Sequence, residues 1–136
     1  MNLEKLKLMV VNDEPDNLYL VWRTFRRDFQ VFKAHSCHAA LEILEQEGEM
    51  AVIIFDLRML ERNGTEFFSL TVDRFPDTMR ILQMGHSDVE DLVEVINSGK
   101  VFKYITKPWK TEWLRVLVQQ AADTYRVLKR RTKNLE

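Results

Sequence analysis

Four residues scattered along this sequence carry side chains suited to ion or phosphoryl chemistry. Asp13 and Glu14 lie in VVNDEPDN, Asp56 closes the run AVIIFD, and Lys107 sits in YITKPW. Clustered carboxylates repel, and a divalent cation relieves the repulsion; hard oxygen ligands that leave several waters in place suit Mg²⁺. A lysine beside them supplies a point charge for a phosphoryl oxygen. Each residue also has a plainer use. Asp13 and Glu14, just before Pro15, suit a helix N-terminus, and Lys107 can be solvated beside a turn. Asp56 resists such an explanation, because five apolar residues lead into it and a buried carboxylate is costly unless compensated.

For these residues to meet, the chain must bring three segments together. Leu6 to Val11 is a short apolar run stopped by Asn12-Asp13-Glu14-Pro15, the pattern of a buried strand and a loop. Leu18, Val21, Trp22, Phe25 and Phe29 follow at helical spacing, then Gln30 to Ala34 as a second strand. Ser36 is placed to cap a helix carrying Ala39, Ala40, Ile43 and Leu44 that ends near Gly48. Ala51 to Phe55 is the third and most apolar strand. After an Asn63-Gly64 turn, Phe67, Phe68, Leu70 and Val72 mark a helix that stops before Pro76. Met79 to Met84 is a fourth strand, Val89 to Ile96 a fourth helix closed by Gly99, and Val101 to Ile105 a fifth strand. A long final helix begins near Trp109. Strands alternating with helices imply right-handed crossovers and a parallel sheet covered on both faces, an α/β fold. In such sheets functional residues gather at the carboxyl ends of the strands, which is where Asp13, Asp56 and Lys107 fall.

Composition narrows the rest. The 136 residues, 46% hydrophobic and 30% charged, suit one soluble domain with a single core. No apolar run approaches the roughly 18 residues of a membrane span, and the N-terminus lacks a signal-peptide h-region. Cys37 is the only cysteine, which excludes an internal disulfide and agrees with a cytoplasmic location. The net charge of −1 gives no global attraction to nucleic acid. Arg126, Lys129, Arg130, Arg131 and Lys133 crowd the end, where cations suit a helix C-terminus.

VVNDEPDN, IIFDLRMLERNG and YITKPW, in this order and with this β/α spacing, resemble the receiver domain of two-component response regulators, from Leu6 to about Leu128. The resemblance implies a flavodoxin-like (βα)5 fold with strand order 2-1-3-4-5. It implies that Asp56 accepts a phosphoryl group from a histidine kinase or phosphotransfer protein. Mg²⁺ would be held by Asp13, Asp56 and the backbone carbonyl of Arg58. Lys107 would contact the phosphoryl group, the Lys107-Pro108 bond would be cis, and Tyr104 would be the aromatic switch. Residues 1–128 form the expected receiver unit. Residues 129–136 form a basic extension of the last helix, leading to an output domain in a longer protein or acting beside a separate effector. The domain is expected to be regulatory rather than an enzyme, its only chemistry being its own phosphorylation and dephosphorylation.

Three positions depart from the family pattern. Asn12 stands where the first of two acids is usual; it can still accept a hydrogen bond from a metal-bound water, with one charge fewer. Met84 replaces the threonine or serine that links phosphorylation to the switch, and has no donor. Leu60 replaces a frequent proline. Phosphorylation is therefore expected to remain available while its transmission changes, and a degenerate receiver working by protein contact alone is the alternative. A haloacid-dehalogenase-type phosphatase wants a second acid two residues after the nucleophile, where Arg58 stands.

Other features carry less. His35-Ser36-Cys37-His38 suits a helix start rather than a metal site, since adjacent residues cannot all face one ion. His86 and Arg58 each either face the acceptor or point to solvent. Leu114, Val118, Ala121, Tyr125 and Leu128 follow a 4-3-4-3 spacing, extended by Thr132 and Leu135. That stripe either packs on the sheet with a frayed end or belongs to a signalling helix that continues into an output domain or pairs with a second protomer.

Overall fold

The computed structural model describes residues 5–61, 64–85 and 101–135. The expected fourth helix, the Asn63 half of the turn and His86 lie outside these residues. Five strands run β1 (Leu6–Val11), β2 (Phe29–Ala34), β3 (Val52–Asp56), β4 (Met79–Met84) and β5 (Lys103–Thr106). They form one sheet in the order β2-β1-β3-β4-β5, with every pairing parallel. The helices are α1 (Pro15–Phe25), α2 (Cys37–Glu47), α3 (Gly64–Arg74) and a C-terminal helix (Thr111–Leu135).

The central place of β3 explains its composition. It pairs with β1 on one side and β4 on the other, and all five of its residues are buried. A strand covered on both faces reads as a continuous apolar run rather than an alternating one. Alternate residues feed two cores. Met9, Val11, Ile53, Phe55 and Leu82 pack with Ala40 and Leu44 of α2 and Phe67 and Phe68 of α3. Leu8, Val10, Val52, Ile54 and Ile81 pack with Val21 and Phe25 of α1 and with Leu114, Val118, Ala121 and Ala122 of the C-terminal helix. Phe55 and Phe67 stack at 5.5 Å between ring centroids, fixing α3 over the end of β3.

Helix ends follow local chemistry. Ser36 Oγ accepts the Ala39 N–H at 3.0 Å, the expected N-cap of α2. Gly48 ends that helix with φ of +79°, a conformation that favours glycine. Pro15 starts α1, where its missing N–H costs nothing. Glu14 occupies the N-cap position, but its side chain makes no capping bond; it is drawn elsewhere. The Lys107-Pro108 peptide is cis, as expected. Strand five and the final helix each start two residues later than the apolar pattern suggests, because Val101 and Phe102 precede the first ladder pair and Lys107–Lys110 form the loop.

Candidate functional site

β3 ends at Asp56 in the middle of the sheet, and the chain turns at once into a 3₁₀ segment, Leu57–Glu61. β1 ends beside it at Val11, followed by Asn12, and β5 ends two strands away, followed by Lys107. Asp56 is only 1% exposed. Its Oδ1 accepts the backbone N–H of Arg58 at 3.0 Å. Its Oδ2 accepts from Lys107 Nζ at 3.1 Å, Arg58 Nη2 at 2.9 Å and Asn12 Nδ2 at 3.3 Å. Burial alone pushes this carboxyl up, but the Arg58 side chain, the Arg58 amide and Lys107 outweigh it and hold the group below the ordinary carboxylate range.

Arg58 does more than cover Asp56. Its Nη2 lies 2.7 Å from Glu14 Oε1 and 3.9 Å from Asp13 Oδ1 while also holding Asp56. One guanidinium thus gathers the carboxylates from the ends of β1 and β3. The hydrogen bond to Asp56, then that to Glu14, raises the Arg58 pKa further above its already high value. This is why Glu14 does not cap α1. Among the described residues no three His, Cys, Asp or Glu side chains form a ready metal cage. The donor set nevertheless suits a cation, since the carboxylates of Asp13, Glu14 and Asp56 already converge on one positive group.

Asn12 is fully buried and is oriented by both of its neighbours. Its Oδ1 accepts the Glu14 N–H at 2.8 Å, and its Nδ2 donates to Asp56 and to Gln83 Oε1, each at 3.3 Å. The amide therefore presents a donor to Asp56 while its oxygen accepts from the backbone. Gln83, paired with Asp56 in the β3–β4 register, was not singled out in the sequence. It reads there as one more residue of a buried strand, and only its polarity within MRILQM hints at a role. Its Nε2 is buried without a hydrogen-bond partner.

Met84 is buried in the core with Phe55, Phe67 and Leu82, while its carbonyl accepts the Lys107 N–H at 2.7 Å. Tyr104 is 51% exposed. A cavity of about 470 Å³ opens beside Arg58 and Lys107, bounded by Glu14, Asn17, Arg58, Gly85, Lys107 and Trp109. Elsewhere, His38 pairs with Glu42 one turn along α2 and Cys37 is buried, so HSCH is a helix start. In the last helix, Leu114, Val118 and Ala121 are buried on the sheet and Tyr125 and Leu128 pack against the same core. Over that span the 4-3-4-3 spacing marks the sheet-facing stripe; among the described residues, Trp113, Val116 and Val127 are the large apolar side chains that the helix exposes.

A family model described as the response regulator receiver domain matches residues 8–119. The chain is 32% identical over 122 residues to the hydrogenase transcriptional regulatory protein HoxA of Bradyrhizobium diazoefficiens, covering 90% of this chain and 25% of that protein. The HoxA protein of Cupriavidus necator is 31% identical over 123 residues, with the same coverage. A solved receiver domain protein from Clostridium thermocellum superposes with a TM-score of 0.80 at 22% identity, over 90% of this chain and 98% of that one. The chain thus spans about a quarter of the length of the curated relatives it matches.

Proposed function

The chain belongs to the response regulator receiver domain family, and on that premise we propose that it accepts a phosphoryl group on Asp56 from a histidine kinase or phosphotransfer protein and so controls an effector. The observation that carries this reading is the Asp56 carboxylate at the end of the central strand, met by Lys107 Nζ at 3.1 Å and the Arg58 N–H at 3.0 Å beside an open cavity. In the transfer, an Asp56 oxygen attacks phosphorus and an O–P bond forms. The donor's P–N bond breaks, and the imidazole leaves with its electron pair and takes up a proton. Lys107 holds positive charge where phosphoryl oxygens arrive, and the Arg58 amide keeps the other Asp56 oxygen in place. Asp13, Asp56 and the Arg58 carbonyl would hold Mg²⁺, which when bound neutralises phosphoryl charge.

The domain is regulatory in this reading, and its only chemistry is on its own aspartate. No described helix is long and apolar enough to cross a membrane, and the work is assigned to the cytoplasm. The effector is an output region that follows the C-terminal helix, as the transcriptional regulators it resembles suggest, or a separate protein. Pairing of two copies through their last helices would use the exposed Trp113, Val116 and Val127, because the other stripe lies on the sheet.

Incubation with Mg²⁺ and acetyl phosphate, followed by intact-mass measurement, tests the assignment. The chain gains the mass of one phosphoryl group and Asp56→Asn gains none. Absence of any gain with excess donor favours the second reading, a receiver that works by protein contact without phosphate, which the absence of a hydroxyl at Met84 supports.

A further inference from the structure

The crevice at the strand ends holds three carboxylates, Asp13, Glu14 and Asp56, and two side-chain cations reach into it. Arg58 Nη2 reaches all three, at 3.9, 2.7 and 2.9 Å, and Lys107 Nζ adds a contact to Asp56 at 3.1 Å. Among the described residues, three negative charges face two positive ones, a net charge of −1. Adding a divalent ion without moving Arg58 makes this net charge +1 and sets two cations on the same oxygens. Asn12 points the same way. At a position where a second acid would enlarge the ligand set for a divalent ion, the amide donates to Asp56 and is itself held by Gln83 and the Glu14 N–H. Donors from Asn12, Arg58 and Lys107 thus converge on the buried Asp56 carboxylate.

We propose that the Arg58 guanidinium is the resident counter-cation of this crevice, and that Mg²⁺ binds only by displacing it from Asp56 and Asp13. Arg58 is then a specificity-determining residue for the acceptor. It keeps Asp56 capped at rest, and its departure into solvent accompanies metal entry. The side chain is suited to such a swing, being 48% exposed and tethered through the 3₁₀ turn rather than packed in the core. The inference rests on reading the crevice as a Mg²⁺-assisted acceptor.

Calorimetric titration of the 136-residue chain with MgCl₂, without any phosphoryl donor, tests it beside Arg58→Met, which keeps most of the side-chain length and removes the charge. Arg58→Met binds Mg²⁺ about tenfold more tightly than the parent, on the scale of removing one competing unit charge at a half-exposed site. In EDTA, Arg58→Met melts below the parent, and Mg²⁺ restores much of the difference. Equal Mg²⁺ affinity in the two proteins, or equal melting temperatures in EDTA, overturns the counter-cation role while leaving a Mg²⁺-assisted acceptor standing. If neither protein binds Mg²⁺, the displacement idea falls together with the metal part of the functional reading. Arg58→Lys separates charge from fork geometry: it binds Mg²⁺ with an affinity between the other two if charge decides.

Discussion

The Asp56 carboxylate stays ionised although almost nothing of it touches solvent, because three donor-bearing residues surround it. Its folded pKa is depressed, so the stability it contributes is present above the ordinary carboxylate value of about 3.9 and is lost as pH falls through the folded pKa. The acid limb of a stability–pH profile should flatten in Asp56→Asn. Asn12 is the more informative position. Asn12→Asp replaces a donor 3.3 Å from Asp56 with a second carboxylate that repels it and leaves Gln83 Oε1 without its partner. We expect a loss of about 1–3 kcal/mol in urea unfolding with EDTA present, together with tighter Mg²⁺ binding by calorimetry. Unchanged stability in EDTA would show that the Asn12 donor contributes little. Two residues of this cluster differ in how visible they are. Asn12 declares itself by its place after a buried strand, whereas the direction of the Arg58 side chain depends on how the 3₁₀ turn folds back over β3.

The C-terminal helix does its work at the scale of an element. Its inner stripe buries Leu114, Val118 and Ala121, and farther along it is tied down by polar contacts. The Tyr125 hydroxyl donates to Glu49, and Lys129 Nζ sits 2.8 Å from Glu49 and 3.3 Å from Asp77. Lys129, the first residue of the basic extension, is thus engaged with the loops that precede β3 and β4. Burial, then Glu49, raises the Tyr125 pKa, and the hydrogen bond to Glu49 leads the causes that raise Lys129. For both groups the stabilisation is complete below the unfolded pKa values of about 10 and is lost as pH rises through the folded ones. Tyr125→Phe should cost about 1–2 kcal/mol at neutral pH, since Glu49 keeps Lys129. It should also make chemical unfolding less sensitive to pH above about 10. A variant as pH-sensitive as the parent there would mean that Tyr125 carries no part of the alkaline loss. The heptad-like spacing in the sequence announced an amphipathic helix correctly. Which partner its apolar stripe meets, sheet or second helix, is a property of the strands beneath it.

For the molecule as a whole, Met84 closes β4, the strand between β3 with Asp56 and β5 with the exposed Tyr104, and its side chain belongs to the core. In the proposed phosphorylation, no hydroxyl at Met84 would grip a phosphoryl oxygen, and charge arriving at Asp56 would have a weaker link to β5. Met84→Thr should lower stability by about 1–3 kcal/mol through lost packing, yet make the Tyr104 signals respond more strongly to a phosphoryl mimic in NMR spectra. An unchanged response would remove Met84 from the transmission route. By itself the sequence determined the alternation of strands and helices, the placing of Asp13, Asp56 and Lys107 at strand ends, and the Ser36 and Gly48 boundaries of α2. These rest on short-range causes: apolar period, capping and turn chemistry. The tertiary structure alone decided that Asn12 meets Gln83, 71 positions away, that Arg58 gathers Asp13 and Glu14, and that Lys129 closes on Glu49 and Asp77. Such contacts follow from which strands become neighbours and where a buried charge finds its partners, and neither is written in local spacing.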